Sequence, residues 1–210
     1  MSIYGPYAQY LPSILNDLEQ RILTANQTIK AATGFKLYEH LHSRIKTVES
    51  MQEKLVRKGY TQTPQSALKK VRDSIGFRIV CAFVDDIYKT IEVLREMDDI
   101  TIVTEKDYIQ NAKPNGYRSY HLIIEMATSY PDCEGNEQGR YYIEIQLRTI
   151  AMDSWASLEH QMKYKRTVKH QEMITRELKR CADELASCDL TMQTIRDLIQ
   201  MDNQNKESSL

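Results

Sequence analysis

The sequence predicts an α+β domain in which a mixed β-sheet of four or five strands is flanked by helices and followed by a helical extension. Segments rich in β-branched and aromatic residues lie in the middle of the chain, and segments with apolar residues at helical spacing lie at both ends. The 210 residues are enough for one ordinary domain with such an extension. We therefore expect a single domain over residues 1–210.

Three helices are predicted before the first strand. The first covers about 8–31, where apolar residues recur at helical spacing. The second covers about 38–58. A short third helix begins at Thr63-Pro64, a pair typical of an N-cap and a first helical position, and ends at about Lys70.

Four strands follow, and the last has the clearest alternation in the chain. They are predicted at 74–84, 100–108, 117–126 and 140–149, with a helix at 85–96 and a turn-rich loop at 129–139. In the last strand one face carries Tyr141, Ile143, Ile145 and Leu147, and the other carries Tyr142, Glu144, Gln146 and Arg148. Such a polar face is typical of a hydrated sheet surface or of the floor of a polar active site.

The C-terminal part is predicted to be helical, at about 151–165 and about 169–201. Trp155, Leu158 and Met162 have helical spacing, and we interpret them as core or interface residues. The later helix carries a long apolar seam that little remaining chain can cover: Ile174, Leu178, Cys181, Leu185, Cys188, Met192, Ile195 and Ile199.

The composition excludes several classes of protein. A net charge of -1 excludes the global positive field of a general nucleic-acid binder. The N-terminal segment lacks the pattern of a signal peptide, and no run approaches the roughly 20 apolar residues of a membrane span. The four cysteines form no CxxC pair, so a zinc site is not expected. We expect a cytoplasmic protein with reduced thiols.

Positive charge is concentrated between Lys36 and Arg78, a stretch that contains ten Lys/Arg residues and only four Asp/Glu residues. Within the predicted second helix, the spacing by four, four and three residues puts one polar set on one face: Lys46, Ser50, Lys54 and Arg57. This face is either solvated or a cradle that holds a triphosphate with side chains. The sequence has no P-loop or GxGxxG motif to do so with backbone amides.

Two acidic residues are associated with the predicted strands. Asp73 lies at the entry to the strand at 74–84, and Glu144 lies on the polar face of the strand at 140–149. A carboxylate within an otherwise apolar strand is unfavourable unless it is paired, exposed or bound to a metal. Two such carboxylates from neighbouring strands would suit Mg²⁺, which takes few protein ligands and keeps phosphate oxygens and water as the others.

The stretch KPNGYRSYH combines a turn with groups that grip an anion or stack on a base. Pro114, Asn115 and Gly116 are turn-forming residues that precede the predicted strand. The cationic and aromatic groups around them are Lys113, Tyr117, Arg118, Tyr120 and His121. A tight hairpin entry with a core tyrosine would explain Tyr117 but not the whole set.

Three segments in this order resemble the synthetase domain of the alarmone synthetases. They are VRDSIGFRIV, KPNGYRSYHLIIE and YIEIQLRTIAMDSWASLEHQMKYK, and the resemblance spans about 36–165. More narrowly, the chain resembles the single-domain small alarmone synthetases of the RelP/RelQ type and is closer to RelP. The resemblance implies transfer of the β,γ-diphosphate of ATP to the 3′-hydroxyl of GDP or GTP, which gives ppGpp or pppGpp and AMP, with Mg²⁺ as cofactor. It implies no hydrolase activity.

The resemblance also assigns roles to the matching residues. Arg44 and Arg78 correspond to the pair that sandwiches the adenine of ATP. The residues that correspond to triphosphate ligands are Lys46, Ser50, Lys54 and Arg57. Asp73 and Glu144 correspond to the Mg²⁺ ligands, and Glu144 also to the group that takes the proton from the acceptor hydroxyl. Tyr117 resembles the residue that stacks on guanine, and the other acceptor residues are Lys113, His121, Gln146 and Arg148.

The resemblance implies a homotetramer built by the C-terminal helices. Two alternatives stay open at this point. The same transfer could act on an adenine nucleotide or on the 3′ end of tRNA, because Tyr117 would stack on either purine. The chain could also be an inactive nucleotide- or RNA-binding regulator, in which the basic stretch at 36–78 holds a single strand weakly.

Overall fold

The computed structural model describes residues 2–163 and 170–207. The elements, in chain order, are a 3-10 helix (Gly5–Gln9), α1 (Leu11–Thr33), β1 (His40–Ile45), α2 (Val48–Arg57), a π-helical turn (Ser66–Lys70), β2 (Ile75–Cys81), α3 (Val84–Arg95), β3 (Ile100–Asp107), β4 (Tyr120–Ala127), β5 (Arg140–Thr149), α4 (Ile150–Lys163) and α5 (Gln171–Glu207). Among these residues, no helix has the length and apolar character that crossing a membrane requires.

The strands form one five-stranded sheet in the order β1-β2-β5-β4-β3. Strands β2 and β5 pair in parallel and the other neighbours are antiparallel, so the sheet is mixed, as the sequence predicts. The predicted alternation of β5 is confirmed, because Tyr141, Ile143, Ile145 and Leu147 are all buried. They join the core with apolar residues of α1 and α3, and the opposite face of β5 is left for polar side chains.

The helix predicted at 38–58 is wrong in its first half. Residues His40–Ile45 form β1, an edge strand that pairs with β2, and only Val48–Arg57 are helical. This pairing satisfies backbone groups of β1 and packs Leu41 and Ile45 against the core, so tertiary contacts outweigh the helical spacing.

Lys46 consequently lies outside the helix. The Thr47 side chain accepts a hydrogen bond from the Ser50 amide and starts α2 there. The single helical face predicted for Lys46, Ser50, Lys54 and Arg57 is therefore not formed. Lys46 instead follows an edge strand, and its amide donates to the Ser74 carbonyl.

Other boundaries differ by a few residues. The predicted strand at 117–126 begins only at Tyr120, so Tyr117 lies in the turn before it. The predicted helix at 151–165 begins at Ile150, directly after β5. The junction of the two predicted C-terminal helices, at 164–169, lies outside the described residues.

The C-terminal helices pack on the end of the sheet through a small second apolar cluster. It consists of buried Trp155, Leu178 and Ala182, with Tyr117 and Leu185 packed beside them. The Trp155 indole donates to the Leu178 carbonyl at 2.9 Å. The apolar residues further along α5 are exposed: Leu190, Met192, Ile195, Leu198, Ile199 and Met201.

Candidate active site

The polar face of the sheet carries a transverse row of nitrogen-bearing side chains. Strand register places His42, Arg78, Gln146, His121 and Lys106 side by side on the five strands. Register also makes Gly76 the neighbour of both Arg44 and Glu144. The predicted strand residues of the site therefore do lie on one face.

A cleft of about 150 Å³ opens on this face at β1, β2 and β5. Its lining includes four of the predicted site residues, Arg44, Arg78, Glu144 and Gln146, together with His42, Ser43, Gly76 and Phe77. The absence of a side chain at Gly76 leaves the space between Arg44 and Glu144 open, and a Cβ atom there would meet the Arg44 Cγ atom at 4.0 Å. The cleft therefore depends on a small residue in the middle of β2.

Asp73, just before β2, is held by two lysines from different elements. The Lys46 and Lys54 ammonium groups both donate to its Oδ2 atom. Burial opposes ionisation of this carboxyl, but the hydrogen bonds and charges of the two lysines outweigh it, and the pKa of Asp73 is lowered. Within residues 2–163 and 170–207, its Oδ1 atom is buried and has no hydrogen-bond partner. Asp73 is thus an ionised carboxylate whose two oxygens differ, since both lysines bind Oδ2.

Burial and the neighbouring Lys54 charge lower the pKa of Lys46, whereas the Asp73 carboxylate raises it. Burial is the largest cause, and the net result is a lowered pKa of Lys46 despite the attraction of the carboxylate. Ser50 and Arg57 on α2 are exposed. The structure therefore brings Lys46 and Lys54 together at Asp73 and places Ser50 and Arg57 along the outer surface of the same helix.

A chain of hydrogen bonds connects the turn before β4 with Glu144. The Tyr117 hydroxyl pairs with the His121 ring nitrogen at 2.8 Å and accepts from the Arg148 guanidinium at 2.9 Å. Arg148 also donates to the Gln146 amide oxygen at 3.0 Å, and the Gln146 amide nitrogen donates to Glu144 at 3.2 Å. Four predicted acceptor residues and the predicted proton acceptor therefore form one network.

Burial keeps the imidazole of His121 neutral. It lowers the pKa of His121 to about 4, and the positive charges of Arg148 and Lys113 act in the same direction. Lys113 lies over two aromatic rings, with its ammonium 4.6 Å from the Tyr108 centroid and 4.8 Å from the Tyr117 centroid. A phosphate contact by His121 would accordingly be a neutral hydrogen bond, and one by Lys113 an ionic contact.

Sequence reasoning missed Asp153 as a connecting residue. Its carboxylate accepts from Arg148 at 2.9 Å and lies 3.5 Å from Arg78. The position follows β5 by one helical turn, and no motif identifies it without the register of β2 and β5. His42 was missed because it lay in the predicted helix at 38–58, and Tyr108 because its contact with Lys113 joins two segments that the sequence does not bring together.

Two other members of the KPNGYRSYH stretch face away from this network. The Arg118 guanidinium contacts the Ile109 carbonyl and Asp183 of α5. The Tyr120 hydroxyl donates to Glu105 at 2.6 Å. The expectation that both would grip the same ligand as Tyr117 does not match this geometry.

A sheet face with paired arginines, a lysine-held carboxylate and an aromatic turn beside them has the chemistry of a nucleotide-binding enzyme site. The family described as "Region found in RelA / SpoT proteins" matches residues 43–169. GTP pyrophosphokinase YwaC of Bacillus subtilis is 43% identical over 169 residues, which are 80% of this chain and 79% of that protein.

Solved structures agree with this match. Small alarmone synthetase 2 from B. subtilis has a TM-score of 0.76 at 39% identity, with 90% of this chain and 95% of that chain covered. Small alarmone synthetase 1 from the same organism, bound to its product pppGpp, has a TM-score of 0.75 at 31% identity, with 93% and 95% covered. The chain belongs to the RelA/SpoT family and, within it, to the small alarmone synthetases.

Proposed function

We propose that this protein is a GTP/GDP pyrophosphokinase. It transfers the β,γ-diphosphate of ATP to the 3′-hydroxyl of GDP or GTP, so that ppGpp or pppGpp forms and AMP leaves. The observation that carries the proposal is the hydrogen-bonded chain from Tyr117 through Arg148 and Gln146 to Glu144, which ends in the cleft lined by Arg44 and Arg78. It links a residue suited to an acceptor base with a carboxylate suited to a reacting hydroxyl.

ATP would bind on the side of the cleft formed by β1, β2 and α2. Arg44 and Arg78 would stack on the two faces of adenine, since planar guanidinium groups pack well on bases. Lys46 and Lys54 would turn from Asp73 to the triphosphate, with Ser50 and Arg57 as further contacts. Negative phosphate oxygens would replace one carboxylate as partners of two ammonium groups.

Mg²⁺ would be held by Asp73 and Glu144. Asp73 fits this role because its buried Oδ1 atom has no hydrogen-bond partner among the residues that the structure describes, and carboxylate oxygens are the ligands that Mg²⁺ prefers. Within residues 2–163 and 170–207, no group of three or more His, Cys, Asp or Glu could hold a metal, which suits a site completed by phosphates. Bound Mg²⁺ would neutralise charge on the transferred phosphates.

The acceptor nucleotide would bind at the turn before β4. Tyr117 would stack on guanine while its hydroxyl stays fixed by Arg148 and His121, and Lys113 would attract the 5′-phosphates. Gln146 would orient the Glu144 carboxylate, which would accept the proton of the 3′-hydroxyl as that oxygen attacks the β-phosphorus. Catalysis would rest mainly on positioning and charge neutralisation.

A product assay tests the reaction. Purified protein would be incubated with Mg²⁺ and ATP labelled on the γ-phosphate, with GDP, GTP, GMP or ADP in separate reactions, and products would be separated by thin-layer chromatography. We expect label in ppGpp with GDP and in pppGpp with GTP, and none with ADP. No transfer to any guanine nucleotide by folded protein would contradict the proposal.

We further propose that the exposed apolar residues of α5 mediate a homotetramer and that the enzyme works in the cytoplasm. The tetramer proposal rests on the apolar side chains from Leu190 to Met201, which the described part of the chain leaves exposed.

Weak binding of single-stranded RNA to the basic residues between Lys36 and Arg78 is a subordinate proposal. A titration of labelled RNA at two salt concentrations tests it, because phosphate contacts weaken with salt.

A further inference from the structure

The turn that carries Tyr117 rests directly on α5. Gly116 has a φ angle of +91°, and a Cβ atom at this position would lie 2.6 Å from the Ala182 Cβ atom and 3.1 Å from the Lys179 Cα atom. No larger residue fits there without moving the helix or the turn. The turn and the C-terminal helix are therefore in close backbone contact.

The Tyr117 ring is part of the apolar cluster between α4 and α5. Its centroid lies 6.3 Å from that of Trp155, whose indole nitrogen donates to the Leu178 carbonyl of α5. Asn115, in the same turn, donates to Glu159 of α4 at 3.2 Å. The side chain proposed to stack on guanine is thus supported from behind by both helices.

Arg118 adds a polar link between the same elements. One end of its guanidinium donates to Asp183 of α5 at 3.0 Å and the other donates to the Ile109 carbonyl at 3.3 Å. Its side chain is 21% exposed, and in the described part of the chain its buried Nε atom has no hydrogen-bond partner. The residue therefore bridges α5 and the segment after β3, on the side of the turn that faces away from the cleft.

We propose that Arg118 and Asp183 form a clamp that fixes the turn at 113–117 on α5, so that α5 sets the affinity for the acceptor nucleotide. Arg118 is then a positioning residue that acts through Tyr117. The inference rests on the proposed function, because it takes the turn as the acceptor site. The clamp touches neither Asp73 nor Glu144, so its loss should weaken acceptor binding more than it slows the chemical step.

The test uses the full-length protein and compares Arg118→Ala and Asp183→Asn with two controls. Arg180→Ala removes an exposed arginine of α5 that bonds Glu177 within the same helix, and Lys179→Ala removes another partner of Asp183. Both clamp variants should raise the KM for GDP by about tenfold and leave the KM for ATP unchanged, and both controls should behave like wild type. The KM for GDP should be no higher in the double variant than in Arg118→Ala, because both substitutions remove the same interaction.

A second readout does not depend on activity. Hydrogen exchange of the amides at 113–117, measured without nucleotide, should be faster in both clamp variants and unchanged in both controls, while exchange across β5 stays slow in all. If wild type makes no alarmone but this exchange pattern is found, the proposed function fails and the clamp stands. Unchanged exchange, or an equal rise of both KM values, would overturn the clamp. If Arg118→Ala does not fold, Asp183→Asn decides alone.

Discussion

At the scale of single residues, the two carboxylates of the site have different surroundings. Asp73 is held by two lysines, whereas Glu144 accepts a hydrogen bond from the neutral Gln146 amide. We expect Asp73→Asn and Glu144→Gln each to lower kcat by about 100-fold or more, because a metal ligand or a proton acceptor is lost. The fold should persist. Initial rates would measure kcat, and thermal melting would check the fold.

Glu125→Gln is the matched control for this prediction. Glu125 lies on the same face of the sheet, opposite Tyr142 of β5, and accepts from Arg140 at 3.0 Å. Its replacement should leave the rate near that of wild type. Near-normal turnover in Asp73→Asn or Glu144→Gln would remove that residue from the proposed metal site.

His121 makes stability depend on pH between its two pKa values. Its pKa is about 4 in the folded protein and 6.5 as the ordinary value, so the unfolded chain binds the proton more readily in this interval. The stabilising contribution of the neutral imidazole is complete above pH 6.5 and is lost as the pH falls toward 4. We expect the melting temperature of wild type to fall more between pH 7 and pH 5 than that of His121→Gln.

The sequence predicts which residues belong to the candidate site better than it predicts the contacts that they make. Glu144, Gln146 and Arg148 follow from strict alternation along a strand, and the structure keeps them on one polar face. Asp153 bridges Arg148 and Arg78 only because parallel pairing aligns β2 with β5. Such contacts between distant segments leave no local pattern, so sequence reasoning has no signal for them.

At the scale of elements, β1 was the missed strand and α2 the overextended helix. The segment at 40–45 has few β-branched residues, so its strand character comes from pairing with β2 and from packing of Leu41 and Ile45. The start of α2 was readable, because Thr47 is a typical N-cap residue followed by Glu49 in the first turn. Capping chemistry at Thr47 would have placed the start of α2, which the helix predicted at 38–58 put too early.

Strand β2 supplies a steric test of the cleft. We expect Gly76→Val to raise the KM for ATP by about tenfold or more, because a branched side chain would fill the space between Arg44 and Glu144. The strand should tolerate valine, which has high β propensity. Gly76→Ala is the control, since its Cβ atom would meet Arg44 at an ordinary 4.0 Å, and kinetics for ATP and GDP would compare the two.

At the scale of the whole molecule, the two halves of α5 have different environments. Leu178 and Ala182 are buried against Trp155, whereas Leu190, Leu198 and Ile199 are more than half exposed. We expect light scattering to give four times the 24.5 kDa chain mass for wild type and a smaller species for Leu198→Asp. Arg180→Asp would serve as a control that places an aspartate at an exposed polar position of the same helix. A monomeric wild type would contradict the tetramer.

Asp153 is a shared counter-ion of two arginines that are proposed to bind different substrates. Its carboxylate lies beside Arg78, proposed for ATP, and Arg148, proposed for the acceptor. When a ligand draws one arginine away, the carboxylate interacts more fully with the other and changes the free energy of binding the second ligand. Thermodynamic linkage requires this effect to be reciprocal, so ATP must alter the dissociation constant of GDP by the factor by which GDP alters that of ATP. One carboxylate thus couples the two proposed binding sites energetically, by the same factor whichever nucleotide binds first.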